Sequence, residues 1–534
     1  MTPNSPLKGQ ATANQQIARA AGTVMAAFII SNLVGLIRGI VITDAFGTSA
    51  DLDSFNAANR IVELLFNLVA GGALGSAFIP TFTGFLTRED RSGAWRLASG
   101  VVNLVFLALV IISILTWIFA PFIVEEGLYL LVPDSDPVQE ALTATLLRIM
   151  LPSVVIFGLS GLVMGILNAH QVFLIPAIAP AMYSVGMILG TSLLPQAWGI
   201  QRLAYGVVAG AFLHLLVQIP RLLKLRERAF NLYLGLRDKA VMKVFRLMGP
   251  RLLGVAVVQM NFIVNTIIAL GQPEGSVTAI TLAFSLMLMP QMAVAQSAAI
   301  ASLPTFSAQV ALGKHDEMRA SLASTLRAVL LLAIPASVGL IILRTPLVAA
   351  LYQRGAFTER STELVAWALL WYAAGLVGHS LVEILSRAFY ALHDTRTPVI
   401  VGVGAMGLNI GLSLLLSRVF EGLGWLPHGG LALANSLATG LESLALVLLM
   451  RKRLKGLQGE YVWKGVGISL LGTGLMAGAV IGWRALFGSS SRWVELFGAL
   501  GVGVVVYVGL MWAVKMPELL GMFHTLMRKI KRQH

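Results

Sequence analysis

The segment "IISNLVGLIRGIVITDAFG", residues Ile29 to Gly47, is apolar along most of its length but has an arginine, Arg38, near its middle. A helix that crosses a bilayer needs about 20 mostly apolar residues, and this segment has nearly that length. An arginine at the centre of such a helix costs about 2.5 to 3.5 kcal/mol on insertion scales. The segment therefore predicts a membrane helix whose arginine faces protein or water and not the lipid tails.

The composition of the whole chain is that of a multi-pass membrane protein. Its 534 residues are 57% hydrophobic and 12% charged, and the mean hydropathy is +0.81. The net charge of +14 comes from short basic clusters between apolar runs, without an RNA-binding signature, so nucleic acid is not predicted as a partner. The absence of cysteine excludes disulfides and thiolate metal sites.

Apolar runs long enough to cross a bilayer recur along the chain, and we count fourteen of them. They cover approximately residues 20–43, 57–85, 96–124, 139–167, 172–195, 203–223, 241–270, 277–304, 320–343, 362–391, 398–418, 427–450, 463–485 and 493–514. The predicted fold class is therefore all-α integral membrane, with about fourteen transmembrane helices.

The loops between these runs alternate in charge. One set is rich in Lys and Arg, and the positive-inside rule predicts that it is cytoplasmic. Its basic residues are Arg88, Arg91, Arg96, Arg221, Lys224, Arg226, Arg228, Arg237, Lys239, Lys314, Arg319, Arg451, Lys452, Arg453, Lys455, Arg528, Lys529, Lys531 and Arg532. The opposite set includes residues 124–139, which contain acids but no Lys or Arg. An even number of helices then predicts that both termini are cytoplasmic.

Two proline-containing motifs occur twice. Pro80 in "SAFIPTF" matches Pro304 in "ASLPTFS" at an offset of 304 − 80 = 224 residues. Pro176 in "LNAHQVFLIP" matches Pro398 in "ALHDTRTP" at an offset of 398 − 176 = 222 residues. These matches predict that helices 1 to 6 and 7 to 12 are parallel repeats, and transporters built this way bind substrate between the repeats.

This duplication predicts the organisation of the chain. A cytoplasmic N-terminal segment, 1–19, precedes an N-lobe of six helices, 20–223, and a cytoplasmic linker, 224–240, joins this lobe to a C-lobe of six helices, 241–455. The last part, 456–534, contains a C-terminal helix pair and a basic cytoplasmic tail.

Several longer motifs resemble those of the bacterial MurJ (MviN) family of lipid II flippases, which belongs to the MOP superfamily together with the MATE exporters. The motifs are "GALGSAFIPTF", "MGILNAHQVFLIPAIAP", "MGPRLLGVAVVQMNFIVNTI", "HDEMRASLASTLRAVLLLAIPASVGLIIL", "LYQRGAFT" and "AFYALHDTRTPV". The resemblance runs from about residue 20 to residue 455 in the same order and spacing.

The resemblance implies two six-helix lobes that form a V around a central cavity, with a C-terminal helix pair that makes a groove for a polyprenyl tail. It also implies transport of lipid II from the inner to the outer leaflet of the bacterial inner membrane by alternating access. The implied partners are lipid II and the phospholipid bilayer, and cell-wall synthesis proteins are left open as further partners. No cofactor is implied, and coupling to a monovalent ion is left open.

Arg38 aligns with a cavity arginine of the family's first helix, which implies that it binds substrate. A lipid pyrophosphate carries negative charge beside an apolar tail, and guanidinium groups suit phosphate oxygens. The alternative is an arginine that pairs with an acidic neighbour and holds helices together. Glu63 is a candidate neighbour, since it could neutralise either Arg38 or Arg60 when substrate is absent.

Polar residues line one face of the second predicted helix. Asn59, Glu63 and Asn67 recur at helical spacing, so this face is expected to turn to the cavity. Asp53 and Arg60 match an acidic and a basic position of the family pattern. For Arg60, the alternative is a side chain that extends from the helix end to the membrane surface.

The sequence departs from the family at several cavity positions. Asn32, Phe66 and Ser285 stand where the family usually has arginines, and Gly39 stands where an acid often follows the first-helix arginine. Either other cations, such as Arg251 and Arg387, replace the missing ones, or the substrate differs from that of the family.

The predicted C-lobe contributes a further polar group. Glu383 and Arg387 have the i, i+4 order that favours an intrahelical ion pair. Asn261, Asn265 and Asn409 are predicted as buried amides, which most often bond across helices. A coupling-ion site is the alternative, because some family members bind sodium between helices 7, 11 and 12. The carboxylates of such a site are not evident in the sequence, so no metal is assigned.

The leading hypothesis is a lipid II flippase of the secondary-transporter type. No P-loop, HExxH or GxSxG motif is present, so an enzyme is not predicted. One alternative is a flippase for another polyprenyl-pyrophosphate-linked glycan. A second is a non-transporting envelope scaffold, although a scaffold has little need for charged residues inside the membrane.

Overall fold

The computed structural model describes residues 27, 29–69, 73–132, 135–225, 229–488 and 491–516, and all regular elements in these ranges are helical. The α-helices are α1 (Ile29–Phe46), α2 (Ala50–Val69), α3 (Ala73–Thr87), α4 (Arg91–Ile118), α5 (Ala120–Ile123), α6 (Pro137–Ala169), α7 (Leu174–Leu193), α8 (Gln201–Leu216), α9 (Ile219–Leu223), α10 (Lys239–Leu270), α11 (Ser276–Gln291), α12 (Ser297–Ala311), α13 (His315–Tyr352), α14 (Glu359–Ala374), α15 (Leu376–Ala391), α16 (Arg396–Gly422), α17 (His428–Arg453), α18 (Gly459–Phe487) and α19 (Arg492–Ala513). The predicted cytoplasmic segment 1–19 and most of the basic tail lie outside these ranges.

The predicted spans correspond closely to these helices. Eleven described helices are long and apolar enough to cross a membrane, and the count reaches thirteen when two bent pairs each form one span. The remaining predicted span, 57–85, corresponds to α2 and α3, between which residues 70–72 lie outside the described ranges. The all-α membrane fold class is confirmed.

The chain divides into two compact units, Met1–Gly271 and Gln272–His534. In the first unit α6 packs against α2, α3, α4 and α8, and α10 packs on α2 and α3. This unit therefore extends past residue 240, where the sequence predicts that the N-lobe and its linker end. In the second unit the long helix α13 packs against α14, α15, α18 and α19. The lobe boundaries derived from the repeats remain a prediction.

Helices α7 and α8 meet through glycines. A Cβ atom added at Gly186 would lie 2.2 Å from the Cα of Gly210, and one added at Gly190 would lie 2.4 Å from the Cα of Gly206. Each helix thus carries a G-x-x-x-G motif that faces the other, an arrangement that lets membrane helices approach to backbone contact. No side chain larger than hydrogen fits at this interface without moving the backbone.

The span formed by α14 and α15 bends by 46° at Gly375. A bend in a helix frees backbone carbonyls, which must find other donors inside a membrane. The Ser337 hydroxyl donates to the Ala373 carbonyl at 2.7 Å, and the Ser436 hydroxyl donates to the Trp371 carbonyl at 2.6 Å. Two neighbouring helices, α13 and α17, therefore satisfy the carbonyls at this bend.

The described part of the linker before α10 is attached to α4. The Asn103 side chain donates to the carbonyls of Asn231 and Tyr233 at 2.9 and 3.0 Å. Asp238 caps the N-terminus of α10, accepts a 2.7 Å hydrogen bond from the Tyr233 hydroxyl and lies 3.2 Å from the Arg96 guanidinium. Burial opposes its ionisation, but these contacts and the backbone N–H groups of α10 lower the pKa of the Asp238 carboxyl below its ordinary 3.8.

We expect Asp238→Ala to lower the thermal stability of the purified protein by more than Asp136→Ala does. Asp136 caps α6 through one backbone N–H and has no ion pair in the described ranges. Asp136→Ala therefore measures the loss of a helix cap alone, about 1 kcal/mol. A depressed pKa means that the charged carboxylate stabilises the fold above pH 3.8 and loses this effect as the pH falls below that value. Melting curves between pH 7 and pH 3 test this, and a pH-independent difference from wild type would contradict it.

Candidate functional site

Arg38 lies on α1, half-buried, with its side chain directed at α7. Its Nη1 atom is 3.9 Å from the sulfur of Met187, and its guanidinium lies 5.9 Å from the centre of the Tyr183 ring. Within the described ranges Arg38 makes no ion pair. A cation in a spanning helix is costly, so one without a carboxylate partner is available to an anionic ligand.

Glu63 on α2 pairs with Arg60. The Arg60 Nη1 atom lies 2.8 Å from a Glu63 carboxylate oxygen, and the Asn59 amide donates to the other oxygen at 2.9 Å. The Arg60 guanidinium also lies 5.2 Å from the centre of the Phe262 ring on α10. Of the two arginines that Glu63 could neutralise, Arg60 is therefore the one with which it pairs in the structure. This pairing leaves the positive charge of Arg38 uncompensated by Glu63.

The other predicted residues of α2 differ in position. Asn67 lies one turn beyond Glu63 on the polar face and is half-buried. Asp53 is 7% exposed and lies near the start of α2, where the neighbouring Ser54 hydroxyl donates to the Gln139 side chain at 2.7 Å. Asp53 is therefore buried next to a hydrogen bond between α2 and α6, two turns before the Arg60–Glu63 pair.

Aromatic packing replaces one of the arginines that the family pattern leads one to expect. The Phe66 ring lies 5.1 Å from the Phe157 ring, which in turn lies 4.9 Å from the Tyr183 ring beside Arg38. The Ser285 hydroxyl donates to the Thr281 carbonyl of its own helix. Asn32 is exposed, and the side chain of Arg251 lies outside the described residues. The substitution at Phe66 extends an apolar wall next to Arg38.

Two of the predicted polar contacts of the second half each lie within a single helix. The Arg387 guanidinium lies 2.8 Å from Glu383, the intrahelical pair that the spacing predicts. The Asn265 amide donates to the Asn261 carbonyl at 2.9 Å, and Asn409 is 3% exposed on α16. No group of three or more metal-ligating side chains occurs among the residues that the structure describes.

One intramembrane carboxylate was missed by the sequence reasoning. Glu442 lies within α17, and its Oε1 atom is 3.3 Å from the position of a Cβ atom added at Gly402 on α16. It makes no hydrogen bond or ion pair in the part of the chain that is described. The sequence contained a signal for this residue, since Glu442 is the single acid in the apolar run 427–450. An unpaired acid inside a membrane span usually has a functional role.

Comparison with known proteins identifies the family. A family model described as lipid II flippase MurJ matches residues 42–500. The chain belongs to this family. Among curated MurJ relatives, the lipid II flippase MurJ of Burkholderia cenocepacia is 32% identical over 479 residues, with 88% of this chain and 90% of the relative covered. A probable lipid II flippase MurJ of Vibrio cholerae is 29% identical, with 94% and 97% covered.

Solved structures confirm the MurJ fold. A lipid II flippase MurJ in an inward closed conformation superposes with a TM-score of 0.78 at 24% identity, covering 93% of this chain and 99% of that one. A MATE-family multidrug resistance transporter of the MOP superfamily, in an inward-facing conformation, gives a TM-score of 0.66 at 16% identity, covering 82% and 99%. The chain therefore has an all-α MurJ-like fold and is a multi-pass membrane protein.

Proposed function

We propose that this protein carries lipid II from the inner to the outer leaflet of the bacterial inner membrane by alternating access. The observation that supports this most is Arg38, a half-buried cation on a spanning helix with no carboxylate partner in the described ranges. Membership in the lipid II flippase family supports the same substrate. The basic loops support a topology with both termini in the cytoplasm.

Arg38 would bind the pyrophosphate of the substrate. Its planar fork of N–H donors fits two phosphate oxygens, and Tyr183 and Met187 hold the side chain from the opposite side. The Phe66 and Phe157 rings extend the apolar surface behind Tyr183, and apolar surroundings strengthen charge–charge attraction. The polyprenyl tail would remain in the surrounding phospholipid.

The proposed energy source is a secondary one, an ion gradient or the membrane potential, without a cofactor. Glu442 is a carboxylate inside a span with no partner among the described residues, so its exchange for Gln is the first variant to examine when coupling is measured. Lipid II and phospholipids are the proposed binding partners, and cell-wall synthesis proteins are further candidates.

A second candidate substrate is another polyprenyl-pyrophosphate-linked glycan. The observation in its favour is that Phe66 packs against Phe157 and Ser285 bonds to its own helix, where the family pattern has arginines. Fewer cations would suit a head group with fewer acidic groups than the lipid II peptide.

The deciding experiment measures lipid II in the outer leaflet of cells whose own flippase is depleted. We expect expression of this protein to restore lipid II exposure and growth. Restoration of neither, despite correct insertion in the membrane, would overturn the lipid II assignment. In that case, exposure of another polyprenyl-linked glycan would support the second substrate, and exposure of no glycan would support a scaffold.

We expect Glu63→Gln to increase the affinity for lipid II. The variant removes the carboxylate that holds Arg60, so Arg60 becomes available to the pyrophosphate, and binding should tighten by about threefold to tenfold. Binding of lipid II to purified protein tests this. Glu383→Gln is the matched control, because it breaks the comparable 2.8 Å pair with Arg387 on α15. Unchanged affinity in Glu63→Gln would show that Arg60 does not reach the substrate.

A further inference from the structure

A polar cleft of about 410 Å³ opens at one end of the first unit, and its lining begins at Val41, about one turn after Arg38 on α1. It lies where α1 and α7 end and α8 begins, and its polar lining residues are Asp44, Thr191, Ser192, Gln196 and Arg202. The cleft contains one acidic and one basic side chain, those of Asp44 and Arg202, which distinguish it from the apolar surface around it. None of the residues discussed above as substrate contacts belongs to it.

The polar atoms of this cleft are not satisfied by one another. Thr191 is 2% exposed, and its hydroxyl has no hydrogen-bond partner in the described ranges. The Arg202 guanidinium lies 4.8 Å from the centre of the Phe46 ring, and its buried Nε atom also lacks a partner there. Asp44 is exposed and forms no ion pair with Arg202 or with any other described residue. Because an unsatisfied buried polar group costs about 1 to 3 kcal/mol, these atoms favour a bound ligand.

The surroundings place the cleft at the depth of lipid head groups. Trp198 and Tyr205 lie beside it with ring centres 5.4 Å apart, and they are 47% and 42% exposed. Exposed Trp and Tyr residues mark the membrane–water interface in membrane proteins. Leu193, at the end of α7, is 74% exposed and therefore available to acyl chains. The opposite end of α8 and α9 carries Arg221, which the loop charges place in the cytoplasm, so the cleft faces the outer leaflet.

We propose that this cleft binds the head group of an outer-leaflet phospholipid that has a phosphate and a primary ammonium, as phosphatidylethanolamine does. The guanidinium of Arg202 and the hydroxyl of Thr191 donate to the phosphate, and the carboxylate of Asp44 accepts from the ammonium. An anionic lipid would leave Asp44 without a partner, and a simple cation would leave Arg202 without one. A zwitterionic head group pairs with both, because its phosphate binds Arg202 and its ammonium binds Asp44.

Such a lipid would act on α1, the helix that carries Arg38. Asp44 follows Arg38 by six residues on α1, which corresponds to about 9 Å along the helix axis. A head group held between Asp44 and Arg202 links the end of α1 to the start of α8. The inference does not depend on which lipid is transported.

Native mass spectrometry of the purified full-length protein, with equal amounts of phosphatidylethanolamine and phosphatidylglycerol, tests the proposal. We expect wild type to retain phosphatidylethanolamine about tenfold more strongly. Asp44→Asn should lose this preference, and Arg202→Gln should lose retention of both lipids. If Arg202→Gln fails to fold, Thr191→Val takes its place in the test. This variant keeps the side-chain shape and should weaken retention of both lipids. Arg148→Gln is the matched control, since Arg148 also stacks on an aromatic ring, that of Trp117 at 4.9 Å, but lies outside the cleft.

Two results would overturn the proposal. Equal retention of the two lipids by wild type would show that the cleft does not recognise the ammonium. Retention by Arg202→Gln and Thr191→Val that equals wild type would place the bound lipid elsewhere. Glycerophosphoethanolamine separates a lipid from a soluble source of the same chemistry. If this soluble molecule binds to delipidated protein as strongly as the lipid does, the ligand is not a membrane lipid and the proposal fails.

Discussion

Arg38→Ala should reduce lipid II exposure at the cell surface by about tenfold to a hundredfold relative to wild type at equal membrane levels. Arg38 has no carboxylate partner in the described ranges, so its removal does not strand a buried acid there. The expected loss is that of one hydrogen bond to a charged group, about 1.5 to 3 kcal/mol in total. Arg38→Lys should retain part of the activity, because it keeps the charge but not the planar fork.

Arg148→Ala serves as the control for loss of an arginine from a spanning helix. Arg148 donates to the Trp117 carbonyl at 3.0 Å and stacks on its ring, away from α7. If Arg148→Ala and Arg38→Ala reduce exposure equally, the effect is structural and Arg38 has no specific role in transport. Full activity of Arg38→Ala would exclude it as the pyrophosphate contact.

Gly186→Leu should prevent the first unit from folding. A Cβ atom at this position would lie 2.2 Å from the Cα and 2.3 Å from the nitrogen of Gly210, so α7 and α8 would have to separate along their length. Overpacking of a single site costs about 1 to 3 kcal/mol, and displacement of a backbone costs more than displacement of a flexible side chain. Separation of the two backbones would also lose the packing along α7 and α8, and native proteins are stable by only about 5 to 15 kcal/mol, so most of the folded protein should be lost.

The yield of monodisperse protein after detergent extraction measures this effect. Gly404→Leu on α16 is the matched control, because a Cβ atom there meets nothing within 4 Å. Gly210→Leu should match Gly186→Leu, since its Cβ atom would lie 2.4 Å from the Tyr183 carbonyl oxygen. Normal yield of both glycine variants would mean that the two helices do not depend on close contact.

The helices were predictable from run length and composition, but their contacts were not. The start of α10 follows from local chemistry, since Asp238 is a good capping residue directly before an apolar run. The glycine spacing in α7 and α8 is visible in the sequence, whereas the fact that these two helices face each other depends on the packing of the whole unit. Sequence spacing reports neighbours on one helix only.

The same limit applies to the candidate site. The spacing of Arg60 and Glu63 allows a pair on one helix, and the structure contains it. Whether Glu63 also reaches Arg38 depends on which helix α1 packs against, and α1 directs Arg38 at α7. Glu442 is visible in the sequence as the single acid of its apolar run, whereas its position beside Gly402 on another helix is not. Residues that act through a neighbouring helix are the ones that sequence reasoning misses.

The bend at Gly375 limits how the second unit can deform. Straightening α14 and α15 into one helix would withdraw the Ala373 and Trp371 carbonyls from the hydroxyls of Ser337 and Ser436. Those hydroxyls belong to α13 and α17, so the motion would disturb three helices at once. A Cβ atom at Gly375 would also lie 2.4 Å from the Ser436 oxygen, which leaves no room for α17 to slide past. The bend is therefore tied to both α13 and α17, and any motion that straightens it must break these two hydrogen bonds or move those helices with it.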